Sequence, residues 1–331
     1  MAQVPTAVIG LGFMGSRWAR VLAEHDGARL AVVSDLREDL GREVAERYGA
    51  KFVLDPLEAA AHSGVVAVAV CTPEDAHADP AMTAIVAGHA VAVEKPLAHT
   101  VPVAESIRDQ AAKQGVPVLT GHILRFEPRY AAIHSAIKAG EIGAVQAVRS
   151  ERIGLISDQR ILKGRTSIAL YYGVHELDLC RWYAGDVTAV WATSSSGVVE
   201  AAGYPVADLY SVGLRFASGA HGTSMIGWSL PETTTGYGMA GFTVIGDGGV
   251  AQVRQGDVGL QLVGSAGTPD VYYAPEVDGR LFGALAIEVD HFVRVAAGAA
   301  EPRCTAADGV EAVRLALAVE RAAERGEVVL P

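Results

Sequence analysis

The strongest constraint on this chain lies near its start. A short apolar run, Val4 to Ile9, leads directly into Gly10-Leu11-Gly12-Phe13-Met14-Gly15. The stretch that follows, to about Glu24, places Trp18, Val21 and Leu22 at helical spacing. A second apolar strand, Leu30 to Val33, then ends on Ser34-Asp35. Strand, glycine turn, helix, strand and acidic residue in that order form the context that makes a GxGxxG turn informative. Gly10 permits the tight turn, Gly12 lets a pyrophosphate approach the backbone, and Gly15 allows close helix–strand packing. The helix start offers free N–H groups and a positive dipole end to phosphates.

Asp35 sits where a carboxylate can accept hydrogen bonds from both ribose hydroxyls of an adenosine. It would repel a 2′-phosphate, so the expected cofactor is NAD, with NADP second. Arg37 is the opposing feature, because a guanidinium two residues on suits that phosphate.

The alternation continues. Val65 to Val70 reads as a strand followed by Cys71-Thr72-Pro73; Ala90 to Val93 is closed by Glu94-Lys95-Pro96; Pro117 to Thr120 is a further strand, and helical segments intervene. Continuous apolar strands separated by helices predict a parallel sheet covered on both faces. Beyond Gly121 the pattern changes to longer, alternating strands: Ala144 to Arg152, Val187 to Ser196, Ala207 to Phe216 and His221 to Ser229. The fold expected is α/β: an N-terminal Rossmann domain, a doubly wound parallel sheet, over residues 1–122. A C-terminal α+β domain with an open, mostly antiparallel sheet follows over residues 123–331, for substrate binding and oligomerisation.

Composition excludes several classes. With 331 residues, half hydrophobic, the chain can bury large cores. A formal net charge of −11 and no basic stripe argue against nucleic acid, and against anionic membranes. No long uncharged apolar run predicts a membrane span, and the N-terminus lacks a secretory leader pattern. Cys71, Cys180 and Cys304 are odd in number and widely spaced, so reduced thiols in a cytoplasmic protein are expected, with no metal cluster.

Candidate chemical residues fall at strand ends. Lys95 precedes a proline and is held extended, so its ammonium can reach a nicotinamide and a substrate hydroxyl. Thr72 and Pro73 lie on the ligand-binding edge; His77 either lines the cofactor site or caps a helix. His175 and Asp178 are three apart on a predicted helix, Val174 to Tyr183, and share a face. His122 and Arg125 follow the sixth strand, and Arg152, Lys163 and Arg165 stand where a cation either meets a substrate carboxylate or phosphate or is simply solvated.

In combination these motifs resemble the Gfo/Idh/MocA family of sugar and cyclitol dehydrogenases. The carriers are the glycine turn, Thr72-Pro73 with His77, Glu94-Lys95-Pro96, Gly121-His122-Ile123-Leu124-Arg125-Phe126-Glu127-Pro128, Gly173-Val174-His175-Glu176-Leu177-Asp178, and the terminal Asp308-Gly309 helix. The resemblance implies catalytic roles for Lys95 and His175. It implies a nicotinamide site formed by Gly10, Gly12, Phe13, Met14, Gly15, Asp35, Thr72, Pro73, His77, Glu94 and Lys95. His122, Arg125, Arg165 and Asp178 are the expected substrate contacts. One departure stands out: the family often carries an aspartate four residues before this histidine, and Tyr171 occupies that place. The expected activity is hydride transfer between nicotinamide and a secondary alcohol or ketone of a sugar, cyclitol or derivative. A silent NAD-binding sensor and an NAD-dependent redox glycosidase are the other readings. A homodimer or homotetramer is expected.

Overall fold

The structure is a computed structural model that describes residues 3–157, 162–234, 238–254 and 272–331. The chain divides into two compact units, Met1–Glu127 with Val271–Val313, and Pro128–Asp270 with Arg314–Pro331.

The first unit is built on six parallel strands, β1 (Val4–Ile9), β2 (Ala28–Ser34), β3 (Lys51–Phe52), β4 (Ala67–Val70), β5 (Ala90–Glu94) and β6 (Val118–Gly121), in the order β3-β2-β1-β4-β5-β6. Every residue of β4 and β5 is buried, as continuous apolar runs with helices on both faces require. One face packs on α1 (Phe13–Glu24), whose Trp18 and Leu22 join Val8, Val33 and Ala92. The other carries α4 (Ala78–Val86) and α5 (Val101–Gln114), where Ile85 and Ile107 meet Ile9, Val68 and Val91. Between them in sequence run α2 (Glu38–Tyr48) and the short α3 (Pro56–Ala60), the latter capped by Asp55, which accepts from the Leu57 amide at 2.8 Å. Strand order reverses between β1 and β4, the crevice where ligands of such sheets bind.

The sequence division at residue 122 left the whole remainder in one domain. The contacts instead return 271–313 to the first unit. Leu285, Val289, Phe292 and Val293 of a late helix complete the Trp18 face, and Trp18 meets Phe292 edge-on at 5.8 Å. Apolar helices carry no mark of which sheet they cover, so spacing alone could not show this.

The second unit opens with α6 (Pro128–Lys138) and holds a six-stranded mixed sheet. Its strands are β7 (Val145–Leu155), β8 (Val187–Ser195), β9 (Leu209–Phe216), β10 (His221–Leu230), β11 (Met239–Gly246) and β12 (Val250–Arg254), in the order β12-β11-β7-β10-β9-β8. All neighbours are antiparallel except β10 with β7. The alternating pattern turns Val148, Ser150, Arg152, Val212, Leu214, Ile226, Phe242 and Val244 inward. Against that face lies α7 (Val174–Ala184), where the Tyr183 hydroxyl donates to the Tyr130 carbonyl at 2.8 Å. A short helix, α8 (Val198–Ala201), a small hairpin of β13 (Glu276–Val277) and β14 (Arg280–Leu281), α9 (Gly283–Ala296) and α10 (Ala306–Arg325) complete the described elements.

Candidate functional site

The glycine turn is built as its spacing demands. Gly10 adopts φ +84°, a left-handed conformation, and a Cβ there would stand 2.7 Å from the Cys71 carbonyl oxygen. A Cβ at Gly15 would overlap the Gly10 carbonyl oxygen, so helix and turn touch backbone to backbone. At Gly12 nothing lies within 4 Å of a built Cβ. Gly12 is also the N-cap of α1 and contributes no side-chain cap, so the first N–H groups of a twelve-residue helix face that open space. This is a cradle for a diphosphate. Phe13 is largely exposed, with the Arg17 guanidinium 3.6 Å over its ring, whereas Met14 packs on the core.

Asp35 follows β2. Its Oδ2 accepts from the Leu11 amide at 2.7 Å and its Oδ1 from the Arg37 amide at 2.8 Å. Arg37 also grips both oxygens, Nε on Oδ1 and Nη2 on Oδ2, each at 2.9 Å. Burial raises the carboxyl, but these bonds outweigh it and hold Asp35 below the ordinary carboxylate range. Arg37 is solvent-exposed, so it can leave the carboxylate to ribose hydroxyls at small cost.

On the same edge, Thr72 follows β4 and its hydroxyl donates to the Ala76 carbonyl at 2.9 Å, which closes the Thr72-Pro73 turn. His77 is buried at the N-cap position of α4 without capping it by its side chain. Its ring nitrogens lie 2.8 Å from the Pro96 carbonyl oxygen and 3.0 Å from that of Thr72. Burial pushes this histidine below its usual pKa; the two carbonyls and Glu74 oppose the shift without reversing it. The ring thus sits between the loop after Lys95 and the loop after β4, and as a neutral imidazole it donates its one N–H to one of the two carbonyls. It holds the edge together rather than capping a helix.

Glu94 and Lys95 end β5, and the Lys95–Pro96 peptide is cis. Lys95 is half-buried, whereas the Glu94 side chain turns into the core and accepts from Trp18 Nε1 at 3.0 Å. Burial pushes the Glu94 carboxyl up, against the pull of Lys95 and Trp18. His122 and Arg125 follow β6 on a one-turn 3-10 helix, Ile123–Phe126, and both are buried. The Arg125 guanidinium donates to the Arg303 carbonyl at 3.0 Å and pairs with Asp308 at 3.3 Å, so it ties the last loop of this unit to β6. Asp308 is held below its ordinary value, because Arg125 and Thr305 outweigh its burial.

In the second unit, His175 and Asp178 lie on α7, half-buried and buried respectively. The turn before that helix is a π-turn, Ala169–Gly173, and it carries Tyr171. Such wide turns recur at functional sites because they displace a side chain from helical register. The Tyr171 ring lies 4.9 Å from Tyr172 and 6.3 Å from the buried Trp228. Arg152 is buried on β7 and donates from Nε to Glu176 Oε1 at 2.6 Å. Arg165 is exposed. Sequence reasoning passed over Glu288, a fully buried acid on α9. Its signal was a lone carboxylate one turn from Phe292 in an otherwise apolar helix face.

Comparison with known proteins accounts for this arrangement. Residues 4–122 match the family model described as an oxidoreductase family with NAD-binding Rossmann fold. Residues 130–252 match the GFO/IDH/MocA C-terminal domain. The chain belongs to the Gfo/Idh/MocA oxidoreductase family. An inositol 2-dehydrogenase from Rhizobium meliloti is 26% identical over 97% of this chain and 97% of its own. A 4-carboxy-2-hydroxymuconate-6-semialdehyde dehydrogenase from Sphingobium is 31% identical, over 55% of this chain and 59% of the relative, so that match spans little more than half of either protein. Among solved structures, GenD2 from gentamicin A biosynthesis, in complex with NAD, superposes with a TM-score of 0.85 at 26% identity, covering 100% of this chain and 97% of that one. The first unit is an NAD-binding domain, and the chain is an NAD-dependent oxidoreductase.

Proposed function

We propose that this protein transfers a hydride between NAD and a secondary alcohol or ketone of a sugar, cyclitol or sugar derivative. The observation that carries the reading is the single edge of the parallel sheet that holds the uncapped Gly12 cradle, the Asp35 carboxylate and Lys95. A relative named for inositol oxidation along its whole length supports the substrate class. NAD supplies the hydride-accepting ring; Gly10, Gly12 and Gly15 admit its diphosphate, and Asp35 receives its ribose. Lys95 hydrogen-bonds the reacting oxygen and stabilises the negative charge that develops there. His175 takes the hydroxyl proton in oxidation and returns it in reduction, with Asp178 supporting the ring or the substrate. Tyr171, in place of a carboxylate, brings a neutral hydroxyl and an aromatic wall to the same turn. His122 and Arg165 remain the candidate substrate contacts, whereas the bonds of Arg125 to Arg303 and Asp308 favour a structural task for it.

The test is a panel of inositols, aldoses and anhydro-sugars with NAD⁺ or NADP⁺, read by absorbance of the reduced cofactor. NADH formed with one panel member supports the reading and names the substrate class. Silence across the panel, with NADH still bound by calorimetry, overturns it.

We also read the outer face of the second sheet as a subunit contact. Trp191, Met225, Met239, Ile245 and Val250 are all exposed on its strands, and the Trp191 indole covers Gly213 of the neighbouring strand. Light scattering that finds only a monomer refutes this homo-oligomer. No described helix is long and apolar enough to cross a membrane, and three buried free cysteines suit a reducing cytoplasm. Cell fractionation checks that placement.

A further inference from the structure

Helix α9 packs its apolar face, Leu285, Val289, Phe292 and Val293, into the first unit's core. Glu288 interrupts that face. Its side chain is 0% exposed, and neither carboxylate oxygen has a hydrogen-bond partner. A charged carboxylate without a donor is not stable in such a place, so the neutral acid is the form that fits.

The ionisable groups that act on this position are Glu94, from the end of β5, and Cys71, from the turn after β4. Burial pushes the Glu288 carboxyl well up, and the Glu94 carboxylate adds to the shift. The Cys71 thiol is pushed up as well, by burial and by both acids. Two buried carboxyl groups that act on each other do not readily ionise together. Glu94 is the better ion of the two. It accepts the Trp18 indole N–H at 3.0 Å and has the Lys95 charge beside it, and Glu288 has neither. Trp18 links the two elements: it donates to Glu94 and meets Phe292, one helical turn beyond Glu288, edge-on.

We propose that Glu288 is a positioning residue for Lys95: the Glu94–Glu288 pair holds one proton, carried by Glu288, so that a single negative charge stands behind Lys95 and maintains its ammonium form. A carboxylate with a neutral polar neighbour stays ionised more readily than one facing hydrocarbon. The functional meaning rests on the reading of Lys95 as the group at the reacting oxygen. The tests below do not depend on turnover, so failure of either idea is seen separately.

Infrared spectra of the full-length protein, with and without NAD, show whether Glu288 is neutral. The wild type should display the carbonyl band of a protonated buried carboxyl near neutral pH, and Glu288→Gln should lack it. A wild type without that band overturns the proposal. The second readout is the pH dependence of Lys95 acetylation by acetic anhydride, followed by peptide mass spectrometry. Glu288→Leu should move the Lys95 midpoint down by about one pH unit, roughly a tenfold change in its proton affinity. Glu288→Gln, which keeps an N–H donor, should restore it. A midpoint unmoved in Glu288→Leu overturns the coupling. If the leucine variant does not fold, Glu288→Met replaces it: the same downward shift supports the pair, and an unchanged midpoint overturns it.

Discussion

The two sheets of this protein place their chemistry differently. In the parallel sheet both faces are buried, so ligand contacts are forced to one edge and are made largely by backbone: the turn at Gly10, the open space over Gly12 and the uncapped start of α1. In the mixed sheet one face is packed and the other exposed, and its candidate groups are side chains on a helix and on the π-turn before it. Backbone sites demand particular residues at fixed spacing. Side-chain sites leave more freedom in which residue stands at each position.

The contrast can be broken most severely at Gly15. Gly15→Val would drive a side chain into the Gly10 carbonyl, where only backbone can move, and should cost about 3 kcal/mol or more, seen as loss of folded protein on expression. A well-folded Gly15→Val would show that the turn is not close-packed. The second sheet has its own buried demand, the Arg152–Glu176 pair. Arg152→Met takes from the buried Glu176 the guanidinium that offsets its burial, and denaturant unfolding should register a loss of about 3–5 kcal/mol. A loss confined to a few tenths would show that Glu176 accepts a proton at no cost.

Activity separates the edge from the core. Lys95→Ala should lower turnover by about 10²–10³-fold, with NADH affinity changed only slightly in calorimetry. Turnover near wild type would remove Lys95 from the chemistry. Gly12→Ala is the counterpart of the Gly15 change: the added methyl meets open space, so Tm should hold while NAD affinity falls about tenfold. Unchanged affinity would move the diphosphate elsewhere.

The dependence of stability on pH at Glu288 tests the core alone. Its carboxyl is raised in the folded protein, so the folded state binds more protons than the unfolded one above the ordinary glutamate value. Wild-type stability is therefore lost as pH rises, and the advantage of Glu288→Gln should widen between about pH 5 and pH 8, by no more than about 1.4 kcal/mol per unit. A gap that stays constant with pH would mean that Glu288 is already ionised.

Much of this was legible because it is local. The glycine turn, Asp35 and the parallel strands follow from residues within one βαβ unit. What escaped is long-range. The partners of Arg125, Arg303 and Asp308, lie some 180 residues away. The two carbonyls that His77 contacts belong to different loops. The π-turn at Ala169–Gly173 is set by packing, and nothing in Ala-Leu-Tyr-Tyr-Gly distinguishes it from an ordinary helix start.

The return of residues 271–313 to the first unit bears on how the protein is made. A ribosome releases β1 to β6 long before Leu285, Val289 and Phe292 exist. Until then Trp18 and the strands beside it lack the cover of that late helix, while the second unit, contiguous over Pro128–Asp270 apart from its final segment, can begin to close. The first domain to be translated is thus completed late, and the cell must shelter its half-built core during that interval.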